Sequence, residues 1–86
     1  MASCTCYNLG GDSKDFDGNE PDLTKVGRGF LGSADWNDQI NRIVVHSGQW
    51  RFYEHINAGG QHWDFGPGDH NNFPSGIISS VYVLSQ

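Results

Sequence analysis

The chain repeats itself, and the repeat limits the folds open to it. Displaced by 49 residues, Asn8, Gly10, Gly11, Asp15 and Phe16 fall on Asn57, Gly59, Gly60, Asp64 and Phe65, while Cys4 falls on Tyr53 and Thr5 on Glu54. Displaced by 38 residues, the run 37–45 falls on 75–83, so that Ile40, Ile43 and Val45 meet Ile78, Val81 and Val83. The two offsets differ by one longer loop between Gly18 and Asn37. A unit of about forty residues cannot bury its apolar face alone and has to stack on its copy. Two such units of about four short strands each predict paired Greek keys closed into a β-sandwich.

Local periodicity agrees. Residues 50–56 set Trp50, Phe52, Glu54 and Ile56 on one face and Arg51, Tyr53 and His55 on the other, and the runs 43–46 and 77–84 are equally β-branched and aromatic. No stretch of a dozen residues carries a 3.6-residue stripe. Leu23 to Phe30 offers at most one helical turn, interrupted by Gly27 and Gly29. The chain is therefore all-β, and its 86 residues suffice for one domain, 1–86, with a first key over about 3–47 and a second over about 48–86.

Charge and motifs narrow the function. The net charge is −5, with no basic footprint for a nucleic acid, and seven of the ten carboxylates precede residue 41, so the first half attracts cations rather than polyanions. The opening Met-Ala-Ser-Cys has neither the basic nor the apolar part of a secretory leader, and no run is long enough to span a bilayer. Cys4 and Cys6, two apart on one strand face, are poorly placed to bridge each other and are expected as free thiols. His46, His55, His62 and His70 form no close ligand pair. His62 and Asp64 share a strand face without a nucleophile to serve. Trp50, Phe52, Tyr53, Trp63 and Phe65 could form a sugar platform, but alternation sends part of the set into the core.

The repeated elements resemble the βγ-crystallin family. Its first signature is an aromatic residue, a second aromatic five positions on and a glycine two later, in a hairpin folded back over its sheet. Tyr53 and Gly60 match it, with Ala58 at the second aromatic position; Gly11 matches in the first half, with Cys4 and Leu9 at the aromatic positions. The runs Trp-Arg-Phe-Tyr-Glu-His-Ile-Asn-Ala-Gly-Gly and Trp-Asp-Phe-Gly-Pro-Gly are similar to microbial single-domain members. Gly11 and Gly60 are the residues expected at positive φ, a conformation that glycine takes without a Cβ penalty.

The resemblance also implies calcium. The family's second signature, Asn/Asp-Asn/Asp-x-x-Ser/Thr-Ser, precedes the last strand of each half, and each half lends ligands to both ions. Residues 37–42, Asn-Asp-Gln-Ile-Asn-Arg, keep the acids and lack the serines; residues 75–80, Ser-Gly-Ile-Ile-Ser-Ser, do the reverse. One implied site collects the Asp38 side chain, the Ile77 carbonyl, the Ser79 hydroxyl and the Glu54 carbonyl, all hard oxygens suited to Ca²⁺. The other collects the Thr5 and Gln39 carbonyls and the Asn41 side chain, with Gly76 where a carboxylate belongs, and is expected to be weak or empty. In the sixth position Ser80 is expected to bond the folded hairpin, a contact that Arg42 cannot copy. The expectation is a non-enzymatic, monomeric domain whose partner is the calcium ion, with no nucleic acid and no membrane. An interaction or inhibitor module, or a calcium-independent structural crystallin-like protein, is the alternative.

Overall fold

The computed structural model describes residues 2–8, 10–27 and 35–86. Leu9 and the stretch 28–34 of the longer loop, with Gly29 and Phe30, lie outside the described residues. Among the described residues there are seven strands: β1 (Ser3–Tyr7), β2 (Ser13–Phe16), β3 (Arg42–Ser47), β4 (Gln49–His55), β5 (Gly59–Phe65), β6 (Gly68–His70) and β7 (Ser80–Ser85). They form two antiparallel sheets, ordered β2-β1-β3-β6 and β5-β4-β7. Among the described residues the helical content is one 3-10 turn, Leu23–Lys25, capped by the Asp22 carboxylate, which accepts from the Thr24 amide. No helix among them is long and apolar enough to cross a membrane.

Alternation builds the core. Cys4 and Cys6 of β1, Phe16 of β2 and Ile43 and Val45 of β3 face Trp50 and Phe52 of β4 and Val81 of β7, all buried. Leu23, Trp36, Ile40 and Ile78 close the ends, and Trp63, Phe65, Phe73 and Val83 pack against the cluster. Each large apolar side chain buried in this way contributes about 1.5–3 kcal/mol. Both thiols are free and buried, and burial, with Cys4 beside it, pushes the Cys6 thiol well above its ordinary range.

The two halves reach across to each other. β6 leaves the second half to pair with β3, setting Val45 against Gly68 and Ile43 against His70. In the reverse direction Glu20 crosses from the first half to bridge Val81 of β7. One sheet thus takes a strand from the other half and the other sheet takes a single bridge, and the motifs at residues 37–42 and 75–80 are brought face to face.

Candidate metal centre

A local two-fold relates the two motifs. Asp38 N donates to Ile78 O at 2.9 Å, and the counterpart Gly76 N donates to Ile40 O at 3.1 Å. Asp38 and Gly76 hold φ values of 58° and 77°, the same left-handed conformation. Aspartate tolerates this region through local side-chain hydrogen bonding, and glycine does so freely. The turn into Asp38 is held by Asp35, whose Oδ1 accepts from Asn37 N at 2.9 Å.

Within this frame two donors of the first implied site, one from each half, meet. Ser79 Oγ donates to Asp38 Oδ1 at 3.2 Å, across 41 residues of chain. Ser79 N donates to Tyr53 O at 2.9 Å, which sets Ser79 beside the peptide that leads into Glu54. Ile77 is half-buried between Gly76 and Ile78, both hydrogen-bonded to the Asp38 loop. Glu54 lies where β4 and β5 change register: Tyr53 pairs with His62 and His55 with Gly59, so Gly60 and Gln61 together stand against Glu54 in a bulge. A bulge interrupts the ladder and can turn a carbonyl to other use. Two oxygens 3.2 Å apart, each about 2.4 Å from one ion, subtend roughly 84° there, an angle that seven-coordinate calcium accommodates. The Asp38 and Ser79 oxygens are therefore spaced to fit a calcium ion. Among the described residues no group of three or more His, Cys, Asp or Glu side chains converges. A metal held here would be a hard cation, met by one carboxylate, a hydroxyl and carbonyls.

For the second implied site, the registers correct the repeat. Phe16, Asp15 and Lys14 pair with Cys4, Thr5 and Cys6, whereas their counterparts Phe65, Asp64 and Trp63 pair with Trp50, Arg51 and Phe52. The opposite edge agrees: Arg42 and Ile43 pair with Tyr7 and Cys6, as Ser80 and Val81 pair with Tyr53 and Phe52. A third check is the bond from Asn41 N to Tyr7 O at 2.9 Å, the twin of the one from Ser79 N to Tyr53 O. The offset along β1 is thus 46 residues, and Asn8, not Thr5, is the counterpart of Glu54. Thr5 sits mid-strand instead, its Oγ1 donating to Asp15 Oδ1 at 2.6 Å with His46 Nε2 at 2.8 Å. Gln39 and Asn41 stay beside Gly76 through the dyad, and Gly76 brings no carboxylate. The pattern Cys-Thr-Cys-Tyr on Trp-Arg-Phe-Tyr, two inward residues and then tyrosine, was the signal for Asn8. The Asn8 and Asn57 identity concealed it.

The remaining features fall into place around this centre. Gly11 and Gly60 hold φ values of 89° and 76°, as the hairpin signature implies. Ser80 Oγ donates to His55 O at 2.7 Å and receives Ala58 N at 3.4 Å, so this serine does clamp the second hairpin. Arg42 instead pairs with Asp69 through Nε at 2.9 Å and lies over the Tyr7 ring, its carbon 5.1 Å from the centroid. Arg42 holds the Asp69 carboxyl below its ordinary range, and Arg51 does the same to Asp64. The latter pair is bidentate, at 2.6 and 2.8 Å, which commits Asp64 to an arginine, while His62 leans on Tyr53. Trp50 and Phe52 are in the core, leaving Tyr53, with Tyr82 against its edge, as the outward ring of the five.

No protein-family model matches the chain, and no curated protein does so. Solved structures do. A βγ-crystallin from an archaeon is 37% identical, with a TM-score of 0.78 over 98% of this chain and 99% of that one. A βγ-crystallin from Ciona intestinalis is 21% identical and has the same fold, with a TM-score of 0.78 over 95% of this chain and 99% of that one. With the paired keys, the two left-handed glycines and the facing motifs in view, the archaeal likeness carries more than a fold: this chain belongs to the βγ-crystallin family.

Proposed function

We propose that this protein is a non-enzymatic calcium-binding domain in which one ion ties the two Greek keys together. The ion takes the Asp38 carboxylate and the Glu54, Ile77 and Ser79 oxygens. The observation that carries the reading is the 3.2 Å contact between Ser79 Oγ and Asp38 Oδ1, two hard donors from opposite halves held by reciprocal backbone bonds. With calcium bound, the Ser79 hydroxyl would turn its proton away from Asp38 and offer a lone pair to the ion, and the loops at 37–41 and 75–79 would form one ligand shell. The second site, with Gln39, Asn41 and Gly76 and with Asn8 in the role assigned to Thr5, lacks an anionic ligand and stays weak or empty. With a single carboxylate, the affinity belongs at roughly 10⁻⁵ to 10⁻³ M. The partner is the ion itself; no nucleic acid, membrane or second copy is required.

The test is calorimetric titration of the metal-stripped protein with calcium. One ion per chain is expected. No binding would leave a calcium-independent structural or interaction role, and two ions would show the donor accounting to be wrong.

A further inference from the structure

The two hairpins are not built alike. Tyr7 stands four residues before Gly11, whereas its counterpart Tyr53 stands seven before Gly60, so the first hairpin is three residues shorter. The second hairpin bulges opposite Glu54, but the first continues its ladder: Asn8 N donates to Asp12 O at 3.1 Å, in register with the Tyr7 and Ser13 pair. Asn8 O accepts from Gly11 N at 3.3 Å, which turns that carbonyl into its own hairpin. The Asn8 side chain, in a residue only 6% exposed, closes the knot: Oδ1 accepts from Asp12 N at 2.9 Å and Nδ2 donates to Asp12 Oδ2 at 3.3 Å.

We infer that Asn8 is a metal-free lock on the first hairpin, and that this lock, together with the missing carboxylate at position 76, bars the second ion. The carboxamide, a donor and an acceptor at the mouth of the hairpin, supplies from the protein the fixed anchor that an ion, by binding oxygens, would supply in the other half. A buried amide satisfied on both sides is costly to disturb. The chain is accordingly asymmetric, with one hairpin that responds to calcium and one that is set on folding. Restoring the motif does not reverse this. The space is there, since a Cβ on Gly76 would meet only Asp38 O, at an ordinary 3.5 Å, but the Asn8 carbonyl remains turned away.

The bar to the second ion rests on the single-ion reading above; the lock itself does not, and the experiment separates them. Amide exchange is followed by NMR in the whole chain with calcium and with chelator, in the parent and in Asn8→Ala. In chelator, Asn8→Ala is expected to speed exchange at Asp12 at least tenfold while Gln61 is unchanged; an unchanged Asp12 overturns the lock. In the parent, calcium is expected to slow exchange at Ala58 and Gln61 and leave Gly11 and Asp12 as they were. Equal slowing of both hairpins overturns the asymmetry, whereas no slowing in either, with Asp12 still released by Asn8→Ala, sinks the calcium reading and upholds the lock. Calorimetry completes the test. Gly76→Asp with Asn41→Ser is expected to titrate with one ion, and with two once residues 8–10 are replaced by the six residues 54–59. Two ions with the short hairpin in place would overturn the bar.

Discussion

Asp38→Asn removes the charge from the proposed site and keeps the shape, the amide oxygen and the tolerance of a φ of 58°. Without calcium the change is small: the Ser79 hydroxyl still finds an oxygen, and a hydrogen bond to a neutral acceptor in place of a charged one loses about 1 kcal/mol. With calcium the effect is large. At 100 times the dissociation constant the ion adds about 2.7 kcal/mol to the parent. At about 4–8 °C per kcal/mol for a domain of this size, that raises Tm by roughly 11–22 °C. Asp38→Asn is expected to lose most of that increment. Asp35→Ala is the control, and the structure sharpens it: Asp35 Oδ1 caps Asn37 N, so its loss costs about 1 kcal/mol with and without calcium and leaves the increment whole. The assay is paired thermal melts in chelator and in calcium. The reasoning fails if both variants lose the same share of the increment, for that is diffuse acidic attraction rather than a site.

Three further outcomes follow from the same contacts. Gly60→Ala places a Cβ 2.6 Å from His55 Cδ2 and 2.9 Å from Glu54 Oε1, whereas at Gly11 nothing lies within 4 Å; both add left-handed strain of about 1–2 kcal/mol. Because both atoms end side chains that can swing toward solvent, denaturant melts should show Gly60→Ala as the worse only by the low end of a crowding cost, about 1 kcal/mol. Ser80→Ala strips the hydroxyl that bonds His55 O and Ala58 N and is expected to cost about 1–3 kcal/mol in chelator, measured in the same way. The Asp64 and Asp69 carboxyls are held below their ordinary range by Arg51 and Arg42. Their stabilising pairing is complete above the unfolded carboxylate pKa, about 4, and is lost as pH falls through the lower folded values. Arg51→Met should flatten that acid limb of a stability-against-pH curve, and an unchanged limb would refute the assignment.

Much of this molecule was legible in its residues because repetition and periodicity are properties of the chain. Alternation sent Trp50, Phe52, Ile43, Val45 and Val81 inward, and a side chain that alternates with period two has one buried face whichever partner it meets. The glycines at 11 and 60 announced positive φ for a reason equally local, the absence of a Cβ. The pairing of Asp38 with Ser79 came from the ligand scheme that the family resemblance implies, laid on the two motifs by an offset of 38 residues that has no gap between residue 37 and residue 45. What the chain could not disclose was the register of the first hairpin. Matching Asn8 to Asn57 keeps as many identities as matching Tyr7 to Tyr53 and needs no gap, yet strand register is set by ladder bonds to β2 and β3, and those bonds equate Tyr7 with Tyr53. The tertiary structure alone moved the hairpin position of the second site from Thr5 to Asn8, and it alone revealed the carboxamide knot there. Such a knot depends on which atoms a turn brings within hydrogen-bond distance, and that distance is decided by the length of a loop rather than by the kind of residue in it.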